Sequence, residues 1–383
     1  MMKYFTLTIF SIFLCSHTYA LELLTYNLGL ANGFVDHYEE RRLPLFAKIK
    51  DSQADIICLQ ELWSEEDRQA LSKEMAPLYP HSLLTPIERV TADRSPACQY
   101  SNLFGEGSIV TCMRSRCDGK KGRDFTACII ADCKGPLESL KSNNPYCANA
   151  LMAQVGTHPI LVMLKLLIPF GKVDLYIYGG SNGLAIFSKY PIKPGSSGMV
   201  SMRDYSTLSR RDFLHAMVEV EGKEIFVGCT HLTANLTDSA PYAGKFSGWE
   251  QENLKQSEYL ISKIEELSHG RPQIIMGDFN FSPGVPSQGI EANFEKSFLA
   301  FKAKGYYDPM SDGGKPSCTF CKSNSLNLPT DPNQLIDHIF FKNVAPKKIG
   351  GATLVFDEKL EIKNSVKTNL SDHYGIKVKL TPL

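Results

Sequence analysis

Eight residues of the kinds that bind metal ions and move protons stand at the ends of apolar, strand-like runs of this sequence. The runs include LLTY, DIICL, FVGCT and IIMG, and the eight residues are Asn27, Glu61, His231, Asp278, Asn280, Asp337, Asp372 and His373. A rigid sheet can bring groups from distant parts of a chain together at the ends of its strands. The sequence therefore predicts a single site to which all eight contribute.

The oxygen-bearing members of this set suit a hard divalent cation. Mg²⁺ prefers oxygen ligands and keeps several waters, so one or two carboxylates are enough to hold it. Glu61 is the first predicted ligand, and Asn27 and Asp372 are the next, with Mn²⁺ or another divalent ion as the alternative cation. Asn27, Asp278, Asn280 and Asp372 are predicted either to complete the metal shell or to orient phosphate oxygens.

The histidines of the set suit proton transfer, because imidazole titrates near neutral pH. His373 is the predicted general base for an attacking water, and Asp337 is predicted to orient its ring and stabilise the imidazolium. His231 is predicted to donate to a phosphate oxygen or to assist the leaving group. Taken singly, such residues are ordinary turn residues, helix caps or solvated loop residues. Their joint occurrence in this order favours a catalytic site.

Strand-like and helical segments alternate along much of the chain, which indicates a layered α/β protein. LELLTYNLGL at 21–30, ADIICLQE at 54–61 and PQIIMGDFN at 272–280 are predicted strands. Residues 39–51 and 248–268 have the apolar spacing of amphipathic helices. Residues 86–180 interrupt this alternation, since they are rich in Cys, Gly, Asn, Ser and Lys, and are predicted to be an insertion.

Cysteine usage indicates an oxidising compartment. Cys58 and Cys229 lie inside apolar runs and are predicted to be free thiols in the core. The other cysteines beyond residue 20 are even in number, which fits disulfides of unspecified pairing. The Cys318-x-x-Cys321 pair leaves a zinc site as the rival interpretation. These eight are Cys98, Cys112, Cys117, Cys128, Cys133, Cys147, Cys318 and Cys321.

Residues 1–20 have the pattern of a secretory signal, with an early Lys, a short apolar core and small residues near Ala20. We therefore expect a protein that is secreted or periplasmic, with residues 21–383 forming one catalytic domain interrupted by the insertion 86–180. The chain has 41 basic and 41 acidic residues. Proteins that bind nucleic acid non-specifically usually carry a basic surplus, so no stable nucleic-acid complex is expected.

The motifs TYN, LQE, THL, GDFN, IDHIFF and SDHYGI resemble, in this order, those of the endonuclease/exonuclease/phosphatase superfamily. That group includes deoxyribonuclease I, abasic-site endonucleases and neutral sphingomyelinases. The resemblance covers roughly residues 22–85 and 181–383, and all eight candidate residues fall on its pattern positions. It implies a four-layered α/β sandwich, in which two packed mixed β-sheets are flanked by helices. It also implies metal-assisted hydrolysis of a phosphoester.

Within that superfamily, SNGLAIFSKYPI, GCTHLTANL and GDFNFSP are most similar to the corresponding segments of neutral sphingomyelinases. This resemblance implies hydrolysis of sphingomyelin to ceramide and phosphocholine, with a phospholipid substrate at a membrane surface. The cysteine-rich insertion departs from the pattern. A secreted deoxyribonuclease and a catalytically inactive binding scaffold are the alternative functions.

Two further segments have two interpretations each. HPILVMLKLLIPF at 158–170 either inserts apolar side chains into a membrane interface or packs in the protein interior, and the interior is the favoured interpretation. Arg210 and Arg211 either steer a phosphate or are solvated turn charges, and the second interpretation is favoured.

Overall fold

The computed structural model describes residues 20–91, 96–120, 122–169 and 173–381. The predicted secretory signal lies outside the described residues except for Ala20. Among the described residues, no helix has both the length and the apolar character that crossing a bilayer requires.

Two large mixed sheets form the centre of the molecule. The first sheet has the strand order β10-β13-β1-β2-β4-β3, and the second has the order β5-β6-β7-β8-β9. Strands β11 and β12 form a separate hairpin. The strand bounds are β1 Leu21–Asn27, β2 Ile56–Gln60, β3 His81–Leu84, β4 Ala185–Ser188, β5 Gly198–Ser201, β6 Asp212–Val220, β7 Lys223–His231, β8 Gln273–Asp278, β9 Asp337–Lys342, β10 Ile349–Val355, β11 Leu360–Ile362, β12 Val366–Thr368 and β13 Gly375–Leu380.

Helices cover the outer faces of both sheets and form the segment between β3 and β4. Helices α1 and α2 pack on the first sheet, while α9 and α10 pack on the second. The helix bounds are α1 Tyr38–Asp51, α2 Glu65–Met75, α3 Tyr100–Leu103, α4 Ile109–Arg116, α5 Gly122–Asp132, α6 Lys134–Asn143, α7 Pro145–Met152, α8 Pro159–Leu167, α9 Trp249–Ser268, α10 Glu295–Ala303 and α11 Pro309–Asp312.

The strands alternate side chains between two cores, which produces four layers. In β1, Leu23 packs between the two sheets, whereas its neighbour Leu24 packs under α1. In β8, Ile274 and Met276 face the other sheet, and Ile275 faces α9 and α10. Successive residues of a strand point to opposite faces, so a strand buried on both sides is a continuous apolar run. The four-layered α/β sandwich implied by the resemblance is confirmed.

The segment between β3 and β4 is helical, and disulfides join its short helices. Helices α3 to α8 all fall within it. Short helices need such support, because isolated helices of this length are marginal in water. The disulfides are Cys98–Cys147, Cys112–Cys133 and Cys117–Cys128, with Cys318–Cys321 in a later loop. The expected disulfides are therefore present, and the rival zinc interpretation of Cys318 and Cys321 is wrong.

The prediction that Cys58 and Cys229 are free core thiols is also wrong. Their sulfurs are bonded to each other, with Cα atoms 5.5 Å apart, and both side chains are fully buried between the sheets. Cys58 lies on β2 of the first sheet and Cys229 on β7 of the second. An inter-sheet disulfide has the same apolar sequence surroundings as a buried thiol. The bond cross-links the two sheets directly beneath the strand ends that carry Glu61 and His231.

Helix α8 has two apolar faces with different surroundings. Val162 and Leu166 are buried against the other helices between β3 and β4, with exposures of 6% and 0%. Ile160, Leu161 and Leu164 are exposed at 66%, 53% and 49%. Neither interpretation of residues 158–170 describes the whole helix. One face is interior and the other is turned to solvent.

Candidate active site

Three adjacent strands of the second sheet place three candidate residues side by side. His231 is the register partner of Asp278 across the parallel pair of β7 and β8. Asp278 is also the register partner of Asp337 across the antiparallel pair of β8 and β9. Neighbouring strands lie about 4.8 Å apart, so register alone brings these side chains into reach of one another. The strand ends thus create the row His231, Asp278, Asp337.

Asp337 and His373 form a hydrogen-bonded pair beside this row. His373 Nδ1 lies 2.8 Å from Asp337 Oδ2, and its other ring nitrogen, Nε2, lies 3.9 Å from Asp278 Oδ2. Burial acts to lower the pKa of His373, but the carboxylate of Asp337 outweighs it and holds that pKa well above the usual range. The pair therefore stabilises an imidazolium, which makes His373 a stronger base than a free histidine.

Asp278 is the centre of the hydrogen-bond network at this end of the sheets. Its Oδ2 accepts from Asn27 Nδ2 at 2.8 Å and lies 3.4 Å from His231 Nε2. Its Oδ1 accepts from the backbone N–H of Asn280 at 2.9 Å. Burial, followed by the nearby charge of Asp337, raises the pKa of Asp278 to about 7. The first sheet, through Asn27, and the second, through Asp278, thus meet in one direct hydrogen bond.

Glu61 occupies a constrained backbone position immediately after β2. Its φ of 62° lies in the left-handed region, which costs a non-glycine residue free energy. Gly183 packs beneath it, and a Cβ at Gly183 would lie 3.1 Å from the Cα of Glu61. Oε2 of Glu61 is buried and has no hydrogen-bond partner among the described residues. Burial, followed by the charge of Asp372, raises the pKa of Glu61 to about 7.

A buried arginine fixes the loop that carries Asp372 and His373. Arg41, on α1, donates to the carbonyl oxygens of Leu370 and Gly29 at 2.5 and 2.6 Å. It thereby joins the loop after β1 to the loop before β13. No local sequence signal distinguishes Arg41 from a solvated helical arginine, so sequence reasoning missed this contact.

Ser371 completes the same junction. Its hydroxyl donates to the carbonyl oxygen of Asn27 at 2.7 Å and accepts from the backbone N–H of His373 at 3.1 Å. The neighbouring Asp372 is only partly buried. Its Oδ1 lies so close to Gly29 that a Cβ there would be 2.2 Å away. The Asp372 carboxylate therefore sits at the ends of β1 and β2, on the Glu61 side of the site.

The favoured interpretation of Arg210 and Arg211 as solvated turn charges is wrong, because both are buried. Arg210 lies 2.9 Å from Asp212 and 3.0 Å from Glu88 in ion pairs. Arg211 is 5% exposed, and its Nε and Nη1 have no hydrogen-bond partner among the described residues. Burial lowers the pKa of Arg211 to about 10, opposed by the charges of Asp278 and Glu61. Arg211 is therefore a buried cation beside the acidic cluster, with donors left for a ligand.

His231 is held in its neutral form. Burial, reinforced by the positive charges of Arg211 and His373, lowers its pKa well below the usual value. Its Nδ1 is buried without a partner among the described residues, and its ring lies 6.0 Å from that of Trp63. A neutral imidazole near a phosphate can donate one hydrogen bond without adding charge.

A second histidine–aspartate pair on the neighbouring face of β9 is not part of the site. His338 is fully buried, with Nδ1 2.8 Å from Asp308 and Nε2 3.1 Å from the carbonyl oxygen of Phe281. Because consecutive strand residues face opposite sides, His338 points into the outer core and Asp337 into the site. His338 has both ring nitrogens occupied and no route to a substrate.

The donor set fits a divalent cation. Among the described residues, Asp278, Asp337 and His373 form a group whose possible ligand atoms all lie within 4.8 Å of one another. In that group His373 Nδ1 already pairs with Asp337, and Asp278 already accepts two hydrogen bonds. Glu61 instead has a buried carboxylate oxygen without any partner. An uncompensated buried carboxylate is costly, and a cation would relieve that cost.

The sequence profile of the Endonuclease/Exonuclease/phosphatase family matches residues 24–373. The chain belongs to this family. Its members are hydrolases that act on phosphodiester bonds, and they generally use divalent metal ions. The match spans every one of the eight candidate residues. A comparison with curated protein sequences gives no significant match.

Solved structures of the family share the fold. D. rerio TDP2 in complex with a single-strand DNA product has a TM-score of 0.52 at 16% identity, covering 95% of this chain and 99% of that one. SmcL has a TM-score of 0.53 at 13% identity, covering 94% and 99%. The endonuclease/exonuclease/phosphatase from Beutenbergia cavernae DSM 12333 has 0.51 at 14%, covering 95% and 72%. At identities of 13–16%, the similarity to these structures establishes the fold of this protein and nothing further.

Proposed function

We propose that this family member is a secreted, Mg²⁺-dependent phosphodiesterase that hydrolyses sphingomyelin to ceramide and phosphocholine. The observation that carries the hydrolytic part is the convergence of the His373–Asp337 pair and the partnerless Glu61 carboxylate around Asp278. A base, an acidic metal-binding group and hydrogen-bond donors then surround one point. These are the functional groups that metal-assisted hydrolysis of a phosphodiester requires.

His373 takes the proton from the attacking water at Nε2. Its Nδ1 is held by Asp337, so the ring keeps one orientation and the imidazolium that forms is stabilised. The water oxygen bonds to phosphorus, and the bond from phosphorus to the ceramide oxygen breaks. The ceramide oxygen takes up a proton from solvent and leaves as the alcohol, and the His373 imidazolium returns the proton it took from the water to solvent. Asp278 lies 3.9 Å from Nε2, on the side where the water must stand.

Glu61, Asn27 and Asp372 are the residues we assign to hold the metal ion. A bound divalent ion would polarise the phosphate and offset its negative charge. Asn27 Oδ1 accepts from the backbone N–H of Gly29 at 3.0 Å, which fixes the amide orientation. Glu61, with its positive φ directly after β2, has its carboxyl group near enough to Asp372 for that charge to raise its pKa.

Arg211, His231 and Asn280 are the residues we assign to the phosphate oxygens. Arg211 has buried donors without partners, and an arginine can bind a phosphate with two parallel hydrogen bonds. Neutral His231 supplies a donor on the other side of Asp278. Asn280 Nδ2 donates to the carbonyl oxygen of Leu232 at 3.0 Å, and this bond fixes the loop after β8.

We expect Mg²⁺ to raise the thermal unfolding midpoint more at pH 8 than at pH 5. The pKa values of Glu61 and Asp278 are about 7 in the folded protein, against ordinary values of 4.5 and 3.8. Between those values the folded state keeps protons that the unfolded state has released, so metal-free stability falls as pH rises. His373, whose pKa is held well above its ordinary value of 6.5, adds to this trend above pH 6.5, because the folded state keeps its proton there. His231, whose pKa is lowered, opposes the trend below pH 6.5.

At pH 8 both carboxylates are charged, and a cation relieves their repulsion. At pH 5 the cation must displace protons first. A Mg²⁺ concentration of 100 times the dissociation constant adds about 2.7 kcal/mol of stability, or roughly 3–4 °C in the unfolding midpoint for a chain of this size. Differential scanning fluorimetry with Mg²⁺ and with a chelator measures the shift. Glu61→Gln is the control and should abolish it. An equal shift at both pH values, or an unchanged shift in Glu61→Gln, would contradict the assignment.

The choice of sphingomyelin rests on the motif resemblance and on charge. The segments SNGLAIFSKYPI and GDFNFSP support a sphingomyelinase-like reaction, and zero net charge gives no general attraction for nucleic acid. Secretion or export to the periplasm is supported by ten of the eleven cysteines being in disulfides, which indicates an oxidising compartment.

A nuclease is the second candidate, since one structural neighbour is complexed with a single-strand DNA product. A substrate profile decides between the two. Purified protein with Mg²⁺ is given sphingomyelin, phosphatidylcholine, lysophosphatidylcholine or plasmid DNA, and phosphocholine release and strand nicking are measured. Phosphocholine release from sphingomyelin at the highest rate is the expected result. Faster nicking of plasmid DNA, with no phosphocholine from any lipid, would replace the lipid assignment by the nuclease.

A further inference from the structure

The exposed face of α8 is the largest run of exposed hydrophobic side chains in the described part of the chain. Ile160, Leu161 and Leu164 are exposed at 66%, 53% and 49%. At about 100° per residue, these three positions span an arc of about 100° on one side of the helix. Single exposed hydrophobic residues are ordinary, whereas a contiguous apolar strip marks an interaction surface. The other exposed large hydrophobic side chains outside α8 and its cap stand singly, at Leu43, Leu78, Tyr100, Leu299 and Leu328.

The opposite face of the same helix anchors it. Val162 and Leu166 are buried in the insertion core, and the carbonyl oxygen of Leu166 accepts from the backbone N–H of Cys98 at 3.0 Å. Cys98 is in turn bonded to Cys147 on α7. The exposed strip is therefore presented by a fixed support, and partner binding does not have to order it first.

The charge of this region favours a phospholipid surface as the partner. From Ser139 to Val173 the sequence has no aspartate or glutamate, while it has Lys141, Lys165 and Lys172. Lys165, on α8 itself, is 40% exposed and lies 3.9 Å from Asp174 at the edge of the region. An apolar helix face with a lysine on the same helix, in a stretch of sequence without acidic residues, suits a helix that lies in the plane of a membrane interface. A helix of nine residues is too short to cross one.

The loop directly before α8 lines a cavity that also contacts a neighbour of the candidate active site. Residues 153–157, directly before α8, line a cavity of about 280 Å³ together with Trp63 and Tyr178. The Trp63 and Tyr178 rings stack 5.1 Å apart, and Trp63 lies 6.0 Å from the ring of His231. The segment that leads into α8 therefore shares a cavity with Trp63, the neighbour of His231.

We propose that the Ile160–Leu161–Leu164 face of α8 docks this protein on a phospholipid membrane. This face would hold the enzyme on the membrane that contains its sphingomyelin substrate, so the proposal rests on the function proposed above. The apolar side chains enter the interface while Lys165 stays at the level of the lipid phosphates. The helix lies in the membrane plane, and its buried face remains in the protein.

Vesicle sedimentation with matched leucine variants tests the docking. The test variant is Leu161→Ser with Leu164→Ser. The control is Leu43→Ser with Leu299→Ser, which makes the same change at leucines exposed at 65% and 54% elsewhere. Both are measured with phosphatidylcholine–sphingomyelin vesicles in the presence of a chelator, so that no hydrolysis occurs. We expect the test variant to lose at least about tenfold in vesicle partitioning and the control to stay within about twofold.

The remaining measurements separate docking from catalysis. Hydrolysis of a soluble phosphodiester, bis(4-nitrophenyl) phosphate, should be the same for both variants and the unmodified protein. Unchanged vesicle binding in the test variant, or an equal loss in both variants, would overturn the docking proposal. The oligomeric state is the last measurement. If the unmodified protein and the control are dimers and the test variant is a monomer with unchanged vesicle binding, the exposed face of α8 binds a second copy of the chain, and the docking proposal is overturned. Vesicle binding by an unmodified protein that releases no phosphocholine would instead support docking and refute the proposed function.

Discussion

His373→Ala should lower kcat/KM for a phosphodiester by about 10²–10⁴-fold, the typical contribution of a positioned general base. Nε2 of this residue faces Asp278 at 3.9 Å, and Nδ1 is fixed by Asp337 at 2.8 Å. Removing the ring leaves water to transfer the proton and leaves Asp337 without its partner. The loss should appear in kcat more than in KM, because the interaction is made in the transition state.

Two companion variants make this result specific. Asp337→Asn keeps the shape of the pair but removes the charge that stabilises the imidazolium, and activity should fall by up to about 10⁴-fold, as for the same change in a catalytic triad. His158→Ala is the matched control, because His158 is exposed and makes no capping hydrogen bond at α8. Steady-state kinetics with a soluble phosphodiester, and circular dichroism to establish folding, are the measurements. A folded His373→Ala protein that keeps more than a tenth of the activity would contradict the role.

Replacing the Cys58–Cys229 bond, by Cys58→Ala with Cys229→Ala, should lower the free energy of unfolding by about 3–5 kcal/mol. The bond joins residues 171 apart in sequence. Without it, the unfolded chain regains the freedom of a very long loop. The pair is fully buried, so the substitution also leaves a small cavity between the sheets. Urea unfolding followed by fluorescence measures the change.

A second disulfide supplies the control for this prediction. Cys318 and Cys321 are bonded across a separation of only three residues, so Cys318→Ala with Cys321→Ala should cost far less, about 2 kcal/mol at most. Activity should also fall in the Cys58–Cys229 variant, because Glu61 and His231 follow the two cysteines by three and two positions. Equal losses of stability in the two variants would mean that the inter-sheet bond has no special role.

Much of the candidate site could be predicted from sequence, because the end of each strand can be located in the sequence. IIMG is followed by Asp278, and FVGCT by His231, and an apolar run that ends in a polar residue locates that residue at a sheet edge. The strand register then brings these residues together, because the pairing of β7, β8 and β9 places His231, Asp278 and Asp337 opposite one another. The four layers likewise follow from strands that are apolar on both faces.

Other features depend on contacts between distant segments and have no local signal. Cys58 and Cys229 stand in apolar runs that suit a buried thiol and a disulfide equally well. Arg211 follows a polar stretch typical of a solvated turn, and only the packed structure buries it beside Glu61. In α8 nearly every position is apolar, so no periodicity indicates which face is exposed. Burial of one face is set by α7 and the rest of the insertion.

The most direct test of a metal-assisted phosphodiesterase acting on sphingomyelin is hydrolysis of sphingomyelin vesicles in ¹⁸O-labelled water, with the products analysed by mass spectrometry. Attack of water on phosphorus predicts one ¹⁸O atom in the phosphocholine and none in the ceramide. It also predicts that a chelator, Glu61→Gln or His373→Ala suppresses both products. Label in the ceramide, or no phosphocholine from a folded protein supplied with Mg²⁺ or Mn²⁺, would contradict the account.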